Sequence, residues 1–121
     1  AGGSDNAKEM REAIARVLTG EVTQAVRDSQ VEGRKVKTGD YMGLVDERII
    51  VASSKLSKAV ETVIEKLLEE DRETLTALLG EGEEEGEARA AVERAVKRHS
   101  TVELDMHEGG QPYYAVLLAA E

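Results

Sequence analysis

The chain has 121 residues and a formal net charge of −9, from 16 Lys and Arg against 25 Asp and Glu. Such a length indicates one domain with a core large enough to fold without covalent or metal cross-links. Cys, Phe and Trp are absent and Tyr occurs three times, which excludes disulfide scaffolds, thiolate metal sites, cysteine nucleophiles and an aromatic platform for single-stranded nucleic acid.

The N-terminal part predicts a linker followed by a helix. Residues 1–4 have the composition of a linker or cloning remnant, and residues 5–121 form the single predicted domain. Asn6 and Glu9 fit a capping box, and Gly20 provides a helix stop. Between them, apolar residues recur at helical spacing: Met10, Ile14, Val17 and Leu18.

Strand signals follow this helix. Residues 21–28 alternate in polarity and place Val22 and Val26 on one face of a predicted strand. Turn signals then bracket residues 34–37. Finally, a hairpin around Asp46-Glu47 joins predicted strands at residues 41–45 and 48–52. The first half therefore predicts one helix and several antiparallel strands.

The second half alternates between helices and strands. Ser53 or Ser54 can cap a helix whose apolar stripe is Leu56, Val60, Val63, Ile64, Leu67 and Leu68. A short strand at residues 74–79 comes next. A helix over residues 84–98 then buries small residues, which are Ala88, Ala91, Val92, Ala95 and Val96.

Two further strands complete the prediction. Residues 101–107 alternate strictly, as in a strand with one wet face, whereas residues 113–119 are apolar on both faces and belong inside the sheet. The strand–helix–strand unit over residues 74–107 implies a right-handed parallel crossover. We therefore predict an α/β domain with α+β character, in which three helices accompany a mixed sheet of about five to six strands.

The charge is unevenly distributed along the chain. Residues 1–60 carry ten basic and nine acidic side chains, and residues 61–121 carry six and sixteen, so charges of +1 and −10 add to −9. Duplex DNA binding requires a dominant basic surface. The longest apolar run, at residues 113–120, is far shorter than the ~20 residues that span a bilayer, and no secretory signal opens the chain. We expect a cytoplasmic domain that neither binds nucleic acid nor inserts into a membrane.

The candidates for chemistry are few. Glu103, Asp105 and His107 share one face of a predicted strand, where they could bind a divalent metal or share a proton, or could simply be solvated. His99 and His107 are the two histidines, and no serine lies in a G-x-S-x-G context, which disfavours acyl-transfer catalysis. The basic cluster Arg27, Arg34, Lys35 and Lys37 is either ordinary surface or a docking patch for an acidic partner.

Four blocks of sequence together carry a family resemblance. They are Gly20-Glu21-Val22-Thr23, Ala25-Val26-Arg27-Asp28, Gly39-Asp40-Tyr41-Met42-Gly43 and His107-x-Gly109-Gly110-Gln111-Pro112-x-Tyr114. In this order and spacing the chain resembles the C-terminal domain of the bacterial dihydroxyacetone-kinase-like (DAK-like) protein that serves as the ATP-dependent subunit of fatty acid kinase. The chain departs from that family at Asp46-Glu47, where the family usually has Asp-Gly, and at Val116, near which it often has a second aromatic residue.

The resemblance implies a non-catalytic domain of a larger kinase subunit. In that family an N-terminal domain binds Mg-ATP, and the C-terminal domain is implicated in engaging a DegV-family fatty-acid-binding protein, whose bound fatty acid is phosphorylated. No nucleotide-binding block of the family matches this chain. We therefore expect no catalytic residue, metal or cofactor in this domain, with Mg-ATP confined to the kinase domain.

The expected partners are the DegV-family protein and the remaining domains of the same kinase polypeptide, with a homodimer as an open alternative. The predicted partner-binding residues are Arg27, Asp28, Arg34, Gly109, Gly110, Gln111 and Tyr114. Tyr41, Tyr113 and Tyr114 are the only aromatic anchors that a contact surface could use. Two alternatives stay open: a small-molecule-binding domain whose pocket includes the turn from Gly109 to Tyr114, and a structural dimerisation domain.

Overall fold

A computed structural model describes residues 17–82, 84–111 and 114–121. In these residues the apolar patterns of the sequence correspond to eight strands and two helices. The strands are β1 Leu18–Gln24, β2 Ser29–Val31, β3 Arg34–Val36, β4 Tyr41–Val45, β5 Arg48–Ser53, β6 Thr74–Leu79, β7 Glu103–Glu108 and β8 Tyr114–Ala120. The helices are α1 Leu56–Leu67 and α2 Glu85–Lys97. Neither helix in this part of the chain is long and apolar enough to cross a membrane.

Six strands form one mixed sheet in the order β5-β4-β1-β8-β6-β7. Among the described strands, only β6 and β7 pair in parallel, with α2 between them in the chain, and the other neighbours pair antiparallel. Strand β8 lies between β1 and β6, which confirms that the doubly apolar C-terminal strand is internal. Strands β2 and β3 form a separate two-stranded hairpin.

One face of the sheet is covered by both helices. The stripe predicted for α1 is buried, with Ala59 added to it, and α2 buries all five of the small residues predicted for it. Burying a Val or Leu side chain stabilises the fold by about 1.5–3 kcal/mol. Strand glycines let α1 approach closely: a Cβ on Gly43 would lie 2.5 Å from Val63 Cγ2, and one on Gly20 would lie 2.6 Å from Val63 Cγ1.

The opposite face, which we call the back face, is covered in part by the β2–β3 hairpin. A second buried cluster lies there. It consists of Val36 of β3, Ile49 of β5 and Ala25, which directly follows β1. Met42 and Leu44 of β4 pack against it because they alternate with the β4 residues that face α1. The hairpin thus shields the β4–β5 side of this face.

The predicted N-terminal helix needs correction at its end. Its residues 6–16 lie outside the described residues, so two of the three predicted helices are observed. Leu18 and Gly20, assigned to that helix and its stop, lie instead in β1, where Gly20 pairs with Val45 on one side and Leu118 on the other. The spacing of the apolar residues here fits the period of a helix as well as that of a strand. The segment is a strand because it pairs with β4 on one side and β8 on the other.

The strand predicted for residues 21–28 ends early. Strand β1 stops at Gln24, and Val26 is 85% exposed rather than on the buried face with Val22. Ala25 donates its N–H to the Asp40 carbonyl and accepts one from Gly39. These bonds take the chain out of the sheet and into the β2–β3 hairpin.

The serine cap predicted for α1 is also wrong in detail. The residue at the cap position is Lys55, which makes no side-chain capping bond. The Ser53 hydroxyl accepts a hydrogen bond from the Lys55 N–H at 3.1 Å, one position before the helix begins. Ser53 closes β5 instead, since β5 runs one residue beyond its predicted end.

Candidate functional site

Most of the predicted site residues lie at one end of the six-stranded sheet. Strand pairing brings together Gln24 of β1, Tyr41 of β4 and Tyr114 of β8, because Gln24 pairs with Tyr41 and the preceding Thr23 pairs with Tyr114. The last residues of β6 and β7, Leu79 and Glu108, pair at the same end. We call this region the turn end of the sheet.

The turn between β7 and β8 is fastened to the end of β6. Gly109 and Gly110 both donate their N–H groups to the Leu79 carbonyl, at 2.9 and 3.1 Å. The Gln111 side chain donates from Nε2 to the Leu78 carbonyl at 2.9 Å. Because both backbone and side chain bind the neighbouring strand, this turn is held in one position on the sheet.

Glycines allow close approach in this turn and at the neighbouring end of β6. A Cβ on Gly109 would collide with the Oε1 atom of Gln111, and one on Gly80 would collide with the carbonyl oxygen of Tyr114. Gly110 has a φ of 64°, which favours glycine. The Gly-Gly-Gln sequence is therefore explained by the geometry of the turn itself.

Tyr114 presents an aromatic side chain beside this turn. It is 38% exposed, which makes it one of the few exposed large apolar side chains among the described residues. Its carbonyl accepts a second, longer hydrogen bond from Gln111 Nε2, at 3.3 Å. Tyr114 therefore combines an exposed ring with a fixed backbone, whereas Tyr113 lies outside the described residues.

Tyr41 differs from Tyr114 because it is buried. It is 8% exposed, and its hydroxyl donates a hydrogen bond to the carboxylate of Glu84 at the start of α2. Burial, reinforced by this bond and by the negative charge of Glu84, raises the pKa of Tyr41 well above its usual value. Tyr41 thus joins β4 to the start of α2, and little of its ring is accessible at the surface.

An acidic loop borders the turn end between β6 and α2. Glu81 donates its N–H to the Gln111 carbonyl at 3.3 Å. A cavity of about 270 Å³ lies beside the loop and is lined by Gln24, Gly80, Glu81, Gly82, Glu84, Glu85 and Ala115. None of Gly109, Gly110, Gln111 and Tyr114 is among these lining residues.

Asp28 has a structural role where the chain leaves the sheet. Its Oδ1 atom accepts hydrogen bonds from the Thr38 N–H and the Thr38 hydroxyl, both at 2.8 Å. These bonds, the one from the backbone first, hold the pKa of the Asp28 carboxyl below its usual value. Arg27 is exposed and makes no ion pair with Asp28 or with any other described residue.

The structure separates Arg34 from the other predicted site residues. Arg34 begins β3, next to the tip of the hairpin formed by Glu32 and Gly33. Glu32 forms an ion pair at 3.7 Å with Arg48, the first residue of β5, at the end of the sheet away from Tyr114. The hairpin therefore carries Arg34 away from the turn end.

Glu103, Asp105 and His107 share one face of β7, as predicted, and all three are exposed. His107 Nε2 lies 2.9 Å from Asp105 Oδ1. Within the part of the chain that the structure describes, no group of three or more His, Asp or Glu side chains is arranged to hold a metal ion.

Sequence reasoning missed the contact between Tyr41 and Glu84. In the sequence, Glu84 is one of several carboxylates in an acidic run, and a partner 43 positions away in the chain leaves no local signal. The Gly-Asp-Tyr-Met-Gly block did single out Tyr41, and the structure explains both of its ends. Gly39 supplies a positive φ of 90°, and Gly43 allows the approach of α1.

A mixed sheet with helices on one face, closed by a Gly-Gly-Gln turn, defines the class of domain. Residues 2–121 match the family of FakA-like C-terminal domains, which takes its name from the FakA subunit of fatty acid kinase. The chain belongs to this family, which confirms the resemblance seen in its sequence.

Similar proteins occur in staphylococci. An uncharacterized protein of Staphylococcus epidermidis is 34% identical over 117 residues, which is 97% of this chain and 21% of that protein. An uncharacterized protein of Staphylococcus aureus is 30% identical over 117 residues, which again is 97% of this chain and 21% of that protein. The chain thus spans about a fifth of the length of the curated relatives that it matches.

Proposed function

We propose that this domain is a non-catalytic interaction module of a fatty-acid-kinase-like subunit. It docks a DegV-family fatty-acid-binding protein, so that a separate N-terminal domain, which binds Mg-ATP, phosphorylates the bound fatty acid. Family membership supports the link to fatty acid kinase. The docking role rests on the turn end of the sheet.

The observation that carries this proposal is the exposed ring of Tyr114 on a rigid backbone. Exposed aromatic side chains held in place contribute strongly to interfaces, because little conformational entropy is lost on binding. Gln111 and the two preceding glycines fix the turn on which Tyr114 stands. Arg27 follows the end of β1, the neighbour of β8, and adds an exposed positive charge beyond the same end of the sheet.

Calorimetric titration of the 121-residue chain with a DegV-family protein loaded with fatty acid tests the docking. Tyr114→Ala should weaken binding at least tenfold, because it removes a central apolar contact. Arg27→Glu should also weaken binding, and the loss of affinity should be smaller in high salt than in low salt, because salt screens exposed charges. Lys58→Glu, on the outer side of α1, is the matched control and should bind as the parent chain does.

Two outcomes would contradict the proposal. The first is unchanged affinity in both Tyr114→Ala and Arg27→Glu, provided that circular dichroism shows both variants folded. The second is ATP turnover by the 121-residue chain alone, since the proposal assigns the phosphoryl transfer to another domain. Binding of a small ligand that Tyr114→Ala abolishes would instead favour the small-molecule-binding alternative.

A further inference from the structure

One arginine is buried with too few partners, at the end of the sheet away from the turn end. Arg72 lies in the loop between α1 and β6, and only 9% of its side chain is exposed. Its Nε atom is shielded from solvent and has no hydrogen-bond partner among the described residues. Its Nη2 atom lies 3.8 Å from Glu70 Oε2, which is longer than a hydrogen bond, and the Glu70 side chain is 86% exposed.

A buried guanidinium in this state needs an acceptor from elsewhere. The arginine side chain is always charged and carries several N–H donors. Taking such a group out of water is costly unless acceptors of opposite charge replace the lost hydration. In the described part of the chain, the ion pair with Glu70 is the one such interaction of Arg72. Arg72 is therefore suited to receive the acceptor of a bound molecule.

Arg72 lines a cavity of about 310 Å³, which we call the Arg72 cavity. The cavity lies between the α1–β6 loop and the α2–β7 loop. The Glu103 N–H donates to the Glu73 carbonyl at 2.8 Å and thereby ties the two loops together. His99, on the cavity wall, is fixed by a contact of 3.0 Å between its Nε2 atom and Glu65 Oε2 of α1. Bonds within the domain thus hold the walls of the cavity in place.

The lining of the Arg72 cavity combines a cation, carboxylates and apolar side chains. Glu70, Asp71 and Glu73 line it and are exposed, so they form its rim. Leu68 and Val102 supply the apolar part of the wall. Three rim carboxylates around one guanidinium repel a simple anion. A ligand with an ammonium group beside its carboxylate is instead attracted at both charged groups.

From this combination of groups, we infer that the Arg72 cavity binds a free α-amino acid with a small apolar side chain. The ligand carboxylate accepts hydrogen bonds from Arg72, and the ligand ammonium group lies among the rim carboxylates. The ligand side chain packs against Leu68 and Val102. The cavity volume suits so small a ligand, since it is near the lower limit of small-molecule sites, about 300–1,000 Å³.

This site is separate from the proposed docking surface. The Arg72 cavity lies where β6 and β7 begin, at the pair Thr74 and Glu103, whereas the turn end lies where these strands end, at the pair Leu79 and Glu108. The inference therefore does not depend on docking of the fatty-acid-binding protein.

NMR titration of the isotope-labelled 121-residue chain tests the inference. The ligands are L-alanine, L-valine, L-leucine and L-methionine, each added to millimolar concentration. At least one of them should shift the amide signals of residues 68–73 and 98–102 in a saturable way, because these residues form the two loops around the cavity. The saturation curve gives the dissociation constant.

Compounds that lack one charged group test whether both groups of the amino acid are recognised. For L-leucine these compounds are isocaproate, which lacks the ammonium group, and isoamylamine, which lacks the carboxylate. The other amino acids have corresponding pairs. Each compound should bind at least tenfold more weakly than its parent amino acid, because one charge-assisted contact is lost.

Arg72→Met tests the contact with the carboxylate, since it removes the guanidinium and keeps a long side chain. It should weaken binding of the amino acid at least tenfold. Arg89→Met is the matched control and should bind as the parent chain does. Arg89 lies on α2, and its ion pairs with Glu85 and Glu108 are at the turn end.

A rim variant tests the ammonium site independently of how Arg72→Met folds. It carries Glu70→Gln, Asp71→Asn and Glu73→Gln, all at exposed positions. This variant should bind the amino acid more weakly than the parent chain does, because the attraction for the ammonium group is lost. It should bind isocaproate more tightly, because the repulsion of a simple anion is also lost.

Three results would overturn the inference. One is the absence of saturable shifts at the two loops with all four amino acids, which would leave Arg72 hydrated by water alone. Another is isocaproate that binds as tightly as L-leucine, which would make the cavity a site for simple anions. The third is binding that neither Arg72→Met nor the rim variant weakens, with circular dichroism showing that both are folded.

Discussion

Asp46 and Glu47 form the two-residue connection between β4 and β5, and both have positive φ values, 52° and 67°. This is the requirement of a type I′ hairpin turn, which usually places glycine at the second position. Left-handed backbone costs a non-glycine residue roughly 1–2 kcal/mol. The hairpin forms regardless, because the pairing of β4 with β5 and the bond from the Asp46 N–H to the Thr19 carbonyl hold the turn.

Replacing Glu47 with glycine should therefore stabilise the domain. We expect Glu47→Gly to raise the free energy of unfolding by about 0.5–1 kcal/mol, since relief of strain exceeds the greater freedom of glycine in the unfolded chain. Urea denaturation measures the change. Glu47→Ala is the control because it removes the same side chain but keeps the Cβ, and equal stability of the two variants would refute this explanation.

At the scale of elements, Gln111 links the β7–β8 turn to β6 through hydrogen bonds to the carbonyls of Leu78 and Tyr114. Gln111→Met keeps the length of the side chain but removes both bonds. We expect it to destabilise the domain by about 1 kcal/mol. The amides of Gly109 and Gly110, which bind the Leu79 carbonyl, should then exchange hydrogen faster.

Hydrogen exchange monitored by NMR measures this local effect. Gln30→Met in β2 is the matched control, since Gln30 is exposed and makes no side-chain hydrogen bond within the described residues. Faster exchange at Gly109 and Gly110 in that control, or unchanged exchange in Gln111→Met, would show that the Gln111 side chain does not hold the turn.

The same scale shows how much of the fold could be predicted from the sequence. The second half has unambiguous periods: β6 has its predicted bounds, and α2 differs by one residue at each end. The predicted secondary structure was wrong around Gly20 and Val26, because the conformation of these segments depends on pairing with residues distant in the chain. Similarly, Tyr114 and Gln111 could be chosen from a motif, whereas the burial of Tyr41 against Glu84 needed the assembled sheet.

At the scale of the whole molecule, the excess of negative charge is divided between two regions. Carboxylates at the start of α2 border the turn end, while those of β7 line one side of the back face. The basic residues of β3 lie on the other side of that face. The uneven charge seen along the sequence thus corresponds to different regions of the folded domain, with the acidic β7 at one edge of the sheet and the basic hairpin strand beside the other.

Because the turn end lies at one end of the sheet, a change at the opposite end should leave docking intact. Tyr114→Ala should weaken docking of the fatty-acid-binding protein at least tenfold. Arg48→Ala, which removes the exposed ion pair with Glu32 at the far end of the sheet, should leave the affinity within about twofold, since distant sites contribute independently. Calorimetric titration measures both affinities, and circular dichroism checks that both variants fold. A folded Arg48→Ala variant that binds as weakly as Tyr114→Ala would mean that the contact surface extends well beyond the turn end.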